Sequence, residues 1–166
     1  PRNVQIGIWD DIQLEVGEND IVTIENLTVL SQADKTKDIG ELKLSAEMGL
    51  SAIKGKLSVQ LKDRSGNLII DERVPCTQIR DGKAWNNLKI KRWWPNGQGD
   101  QPLYQLVCTL YDETGALRQE ISQKVGFKNI RWEVNKDAPA GADPWLCVVN
   151  NTPIFLQGVN WTPIRP

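Results

Sequence analysis

Carboxylates, a tryptophan pair and three cysteines are the side chains of this 166-residue chain whose types and spacing bear on chemistry, and histidine is absent. Without an imidazole there is no Ser-His-Asp triad, no Cys-His pair and no imidazole metal ligand. Acid–base work by two carboxylates survives that exclusion. Adjacent acids include Asp10-Asp11 and Asp71-Glu72. The first pair stands in a connector-like stretch and the second at the end of a hairpin strand, places where solvated acids are the ordinary occupants. Glu25 sits in a run typical of a β-strand. No catalytic residue is assigned among them. Cys76, Cys108 and Cys147 lack metal-ligand spacing. An odd number leaves at least one free thiol, and all three read as small buried hydrophobes. No metal and no cofactor is expected.

The pair Trp93-Trp94, followed by Pro95 and Gly97, admits two readings. Aromatic faces stack on pyranose rings, so adjacent tryptophans in a Gly-containing loop suit a carbohydrate platform. The preferred reading is structural or interdomain: one Trp plugs the end of a domain or an interface to a neighbour, while Pro95 and Gly97 shape the loop.

Lys plus Arg number 20 and Asp plus Glu 21, a net charge of −1. That balance offers no electrostatic footprint for nucleic acid or an anionic membrane. Apolar runs fall short of the ~20 residues a membrane span needs, and no signal-peptide pattern stands at Pro1. A soluble chain is expected, its compartment open between cytoplasm and periplasm or exterior. Asn-x-Ser/Thr tripeptides begin at Asn26, Asn150 and Asn160, a pattern with meaning only in a secreted eukaryotic protein.

The elements that must position these residues follow a period of two. Leu42, Leu44, Ala46, Met48 and Leu50 alternate with polar or small residues, the mark of a half-buried strand. Leu57, Val59 and Leu61 repeat it, and the cluster Asp63-Arg64-Ser65-Gly66-Asn67 turns the chain into Leu68-Ile69-Ile70 as a hairpin. Leu88 and Ile90 mark a shorter strand, and Tyr104, Leu106, Cys108 and Leu110 a longer one. Residues 21–30 are rich in β-formers. Leu117, Ile121 and Val125 fit a helix face or a strand face, and pairing with residues 104–111 favours the strand. About seven strands separated by turns predict an all-β, immunoglobulin-like antiparallel β-sandwich. Tyr104, opening its strand after a turn, is placed as a tyrosine corner whose hydroxyl bonds an upstream backbone group. A second hairpin is read from Trp145–Val149 through Asn150-Asn151-Thr152-Pro153 to Ile154–Leu156.

Five stretches in order, Gly7-Ile8-Trp9, residues 92–99, Gln101-Pro102-Leu103-Tyr104, residues 125–130 and residues 153–161, together resemble glycoside hydrolase family 2, especially its β-mannosidase-like branch. The resemblance implies an order of jelly-roll domain, immunoglobulin-like sandwich and (β/α)₈ catalytic barrel. Residues 1–11 would then be a connector from the upstream domain and 12–126 the sandwich. Residues 127–166 would be a connector hairpin and the first strand of a truncated barrel. Retaining hydrolysis in that family uses two glutamates, which the resemblance places beyond residue 166. None of the acids here has the Asn-Glu context of the acid/base, and Glu25-Asn26 reverses it. The implied role is a non-catalytic, itself inactive, sandwich domain of an exo-acting retaining β-glycosidase. Its partners would be the jelly-roll and barrel domains of the same chain and a carbohydrate substrate. Asn160 and Trp161, at the C-terminal end of a barrel strand, would hydrogen-bond a sugar and pack on its face. Arg165 stands where the β-mannosidase-like branch places an acid, so the resemblance implies no particular sugar. The competing expectation is an independent carbohydrate-binding or adhesion module.

Overall fold

The computed structural model describes Ile12 and residues 22–160. Strands β1 (Ile24–Ala33), β2 (Ile39–Met48) and β5 (Lys83–Lys89) form one sheet in the order β1-β2-β5. Strands β3 (Lys56–Lys62), β4 (Leu68–Pro75), β6 (Tyr104–Tyr111) and β7 (Leu117–Val125) form a second, ordered β4-β3-β6-β7. Every pairing in both is antiparallel. The molecule is an all-β sandwich, held by side chains that alternate inward from each strand. Leu57, Val59 and Leu61 lie opposite Leu110, Cys108 and Leu106, and with Leu42 and Leu44 of the other sheet they are at most 1% exposed. Burying each such aliphatic side chain contributes roughly 1.5–3 kcal/mol.

Two single-turn helices, neither anticipated from the sequence, carry the chain between sheets: α1 (Leu50–Ile53) and α2 (Cys76–Asp81). The period-two run therefore ends at Met48, and Leu50 is 86% exposed at the head of α1 instead of continuing the inward row. Below it Ala52 is fully buried. Gly55 lets the backbone pass so close to Tyr111 that a Cβ would stand 2.2 Å from the carbonyl oxygen. In α2 the spacing of three puts Cys76 and Ile79 on one face, both fully buried. Four and six residues are too few for helical periodicity to declare itself.

Elsewhere bulges displace the expected rows. Asn87 has φ of 57° beside a register shift between β2 and β5, so Leu88 and Ile90 are buried although the strand stops at Lys89. A shift between Leu110 and Tyr111 pairs Leu117 with Tyr111 and turns it outward, 60% exposed. Strand β1 begins at Ile24 and runs to Ala33, later than expected at both ends, and Ile21 lies outside the described residues. Gln119 ties the sheets together, its Oε1 accepting the Ile24 N–H at 2.7 Å.

The chain leaves β7 through Gly126 and Phe127. Phe127 is fully buried in the same core. A third sheet follows, β8 (Ile130–Glu133), β9 (Leu146–Val149) and β10 (Thr152–Ile154), ordered β10-β9-β8. The β9–β10 loop is Asn150-Asn151 alone, with φ of 49° and 70°. Left-handed backbone at both positions is the signature of a two-residue type I′ hairpin turn. The turn is shorter than the four residues expected from the sequence, the second strand is shorter too, and Phe155 and Leu156 lie beyond β10.

Candidate functional site

The exit segment 126–129 closes one end of the sandwich by bonding to β1 and to the loop after β5. The Ser31 hydroxyl donates to the Gly126 carbonyl at 2.9 Å, and the Ala33 N–H donates to the Lys128 carbonyl at 3.2 Å. On the other side the Trp93 N–H donates to the Phe127 carbonyl at 2.7 Å. Phe127 meets the Tyr104 ring edge-on, centroids 5.3 Å apart and planes at 85°. Only glycine fits opposite, since a Cβ at Gly40 would come within 2.8 Å of both Phe127 and Ile90. The Tyr104 hydroxyl accepts the Lys91 N–H at 2.7 Å, so the phenol is anchored to an upstream backbone group while its ring is buried.

Trp93 and Trp94 are half-buried in the loop above this plug. The Lys128 ammonium sits 4.8 Å from the centre of the Trp93 ring, and a Cβ at Gly126 would lie 3.3 Å from that indole. The Arg92 guanidinium is 5.5 Å from the centre of Trp94, and Gly99, with φ of 152°, lets the same ring lie against its backbone. Arg92 is itself held by Asp38 at 3.0 Å and by the Lys35 carbonyl. The Trp94 backbone N–H donates to the Asp100 carbonyl, and the carbonyl of the half-buried Pro95 accepts the Gln98 N–H, which closes the loop on itself. Both indoles thus have a protein cation over the ring and a glycine in contact with them.

Asn150 is the residue at this end that sequence reasoning missed. It is 3% exposed, although it occupies a hairpin turn. Its Nδ2 donates to the Trp93 carbonyl at 2.9 Å, and its Oδ1 accepts the Asn129 N–H at 2.9 Å. Its backbone N–H donates to the Asn129 carbonyl at 2.8 Å. Its side-chain amide, the nitrogen a sequon would offer, is therefore taken. Asn129 is also buried, its Nδ2 directed at the Ala33 carbonyl while its Oδ1 has no partner among the described residues. The Asn-Asn pair signals a turn in sequence; nothing there signals that its first side chain is an interior one.

Among the described residues, every carboxyl group whose ionisation is visibly perturbed is held below its ordinary range. Asp112 is bound by the Thr114 hydroxyl, then Arg118 and the Ala116 N–H. Asp63 is bound by the Asn67 side chain and backbone, and Asp34 by the Thr36 and Lys37 N–H groups. Lys83 and Trp85 hold Glu72, and Arg80 holds Asp81. A glycosidic general acid needs the opposite shift. Asp71 accepts from Gln60, whereas Asp10 and Asp11 lie outside the described residues. Burial pushes the thiol of Cys76 up to about 11 and that of Cys108 to about 12, the behaviour of inert interior cysteines. No group of three or more metal-ligating side chains is present among the described residues.

Asn160 is exposed at the end of the described residues, and Trp161 and Arg165 lie outside them. The network joining Trp93, Trp94 and Tyr104 does not include Asn160 among its described bonds. Upstream of Asn160 the third sheet presents large apolar groups to solvent. Ile130 and Trp132 of β8 share a face with Ile154 of β10, and Trp145 packs edge-on against Trp132 with centroids 6.4 Å apart. Trp145 is 77% exposed, Phe155 85% and Val159 89%.

Comparison with known proteins places this arrangement. The family model described as "Glycosyl hydrolases family 2" matches residues 22–128. A β-mannosidase of Bos taurus is 35% identical over 95% of the chain, and β-mannosidase B of Aspergillus terreus 29% over 98%. The chain spans 18% of the length of each. A solved β-glucuronidase from Ruminococcus gnavus shares the fold, with a TM-score of 0.58 and 17% identity, over 81% of this chain and 19% of that one.

Proposed function

Because the chain belongs to glycosyl hydrolase family 2, we propose that it is the non-catalytic sandwich domain of an exo-acting retaining β-glycosidase, holding a catalytic barrel against an upstream jelly roll. In this reading residues 1–11 lead in from the upstream domain, and 127–166 run through the connector hairpin into the first barrel strand. The observation that carries it is the apolar surface on and after the third sheet. Trp132, Trp145, Phe155 and Val159 are all exposed apolar groups, Trp132 and Trp145 pack on each other, and clustered exposed apolar groups mark a contact with another body. The cation and glycine contacts that Trp93 and Trp94 already make support the same reading over a sugar-binding module.

The glutamates for retaining hydrolysis would come from the barrel, with Asn160 and Trp161 lining the sugar site beside them. Asn160 would hydrogen-bond sugar hydroxyls and Trp161 would pack on the ring face. Aryl β-glycosides test this on two proteins. The chain alone is expected to give no turnover, and the longer gene product that contains it to hydrolyse them with retention at the anomeric carbon. In that longer protein Trp161→Ala should lower kcat/KM by about tenfold or more, the loss of a stacking contact and its desolvation. Turnover by the isolated chain, or none by the longer product, would sink the proposal.

A further inference from the structure

Two units meet at the end of the sandwich. The seven-stranded body and the third sheet are joined covalently through Gly126–Asn129, a strap fastened to the sandwich by bonds to Ser31, Ala33 and Trp93. The angle of the hairpin beyond the strap is set by the contacts it makes with strap and sandwich. Asn150 makes both kinds: its Nδ2 donates to the Trp93 carbonyl of the sandwich loop, while its Oδ1 accepts the Asn129 N–H and its own N–H donates to the Asn129 carbonyl at the end of the strap.

We propose that Asn150 is a positioning latch, which locks the third sheet to the sandwich at one orientation by reading Trp93 and Asn129 together. The residue type is selected twice. Asparagine tolerates the left-handed backbone at φ of 49° that the type I′ turn requires. Its amide also supplies one donor and one acceptor at the same point, which is what a carbonyl of the loop and an amide of the strap demand. Aspartate would keep the acceptor and set a second oxygen against the Trp93 carbonyl. Glycine would keep the backbone and lose both side-chain bonds. Asn151, equally left-handed with φ of 70°, only accepts from Arg131 of the neighbouring strand through its side chain, so it serves the hairpin and not the joint. If the chain is the domain proposed above, the latch fixes where everything after Ile154 begins. The latch itself can be measured without any enzyme activity.

Amide hydrogen exchange and residual dipolar couplings on the full chain, with the variants N150G, N150D and N151G, test it. The expected result is one alignment tensor for both units in the wild type and in N151G, and two in N150G. The Asn129 amide should exchange about tenfold faster in N150G, the loss of one buried hydrogen bond, and remain slow in N150D. Exchange in β3 and β6 should be unchanged, which reports that the sandwich stays folded. One tensor for N150G with an unchanged Asn129 amide would overturn the latch. Equal loosening in N151G would also overturn it, because turn conformation alone would then explain the effect. Failure of the longer gene product to hydrolyse glycosides would leave these measurements, and the latch, standing.

Discussion

At the scale of single residues, the acids of this domain act as local fasteners. Asp112 is 8% exposed and organises the β6–β7 turn, accepting from the Thr114 hydroxyl at 2.6 Å and from Arg118 at 2.6 Å. Those bonds hold its carboxyl below its ordinary value. A carboxyl lowered on folding contributes stability that is complete above its unfolded value of ~3.9 and is lost as the pH falls toward the folded one. Asp34, Asp63, Glu72 and Asp81 are shifted the same way, so acid should weaken the fold from about pH 4 downward. Urea midpoints at pH 7 and pH 3 check this. The wild type should lose more stability between them than Asp112→Asn, which starts lower at pH 7 because it cannot pair with Arg118 as a charge. Parallel losses in the two proteins would show that Asp112 does not titrate as described.

At the scale of elements, the fit between facing strands is set by one small residue. Gly40 on β2 leaves the volume that Phe127 and Ile90 fill, with both within 2.8 Å of where a Cβ would stand. Gly40→Val should cost roughly 1–3 kcal/mol through overpacking, read as a lower urea midpoint at pH 7. A neutral result would mean that Phe127 moves aside freely. Much of this level was legible beforehand. The alternation of Leu57, Val59 and Leu61, and of Tyr104 through Leu110, declared buried faces because one inner face imposes a period of two. The turn cluster at 63–67 placed its reversal. Single-turn helices, the bulge at Asn87 and the outward turn of Leu117 were not legible, since each depends on how two sheets meet and not on any local pattern. The same holds for the site. Trp93, Trp94 and Tyr104 stand out by type and spacing, whereas the buried amide of Asn150 is visible only once the third sheet is laid against the sandwich loop.

At the scale of the whole molecule, stability should be uneven. The sandwich has a continuous core drawn from both sheets. The third sheet has strands of three and four residues, with Cys147, Val148 and Val149 as its buried apolar residues. Small units with little buried surface open first. Limited proteolysis of the chain should therefore cut in the exposed loop 134–145 and beyond Ile154 before any strand of the sandwich, leaving a resistant piece of about 130 residues. Uniform resistance along the tail would argue that its apolar surface is already covered, against the interdomain reading.

The strap at 126–129 has a further consequence for how such a domain is made. Translation delivers all seven sandwich strands before it delivers Phe127, and Asn150 arrives more than twenty residues later. A released chain truncated after Val125 carries all seven strands but has a hole beside Tyr104 and Gly40 where the last aromatic belongs. Such a truncated chain should bind hydrophobic dyes, and one extended through Asn129 should not.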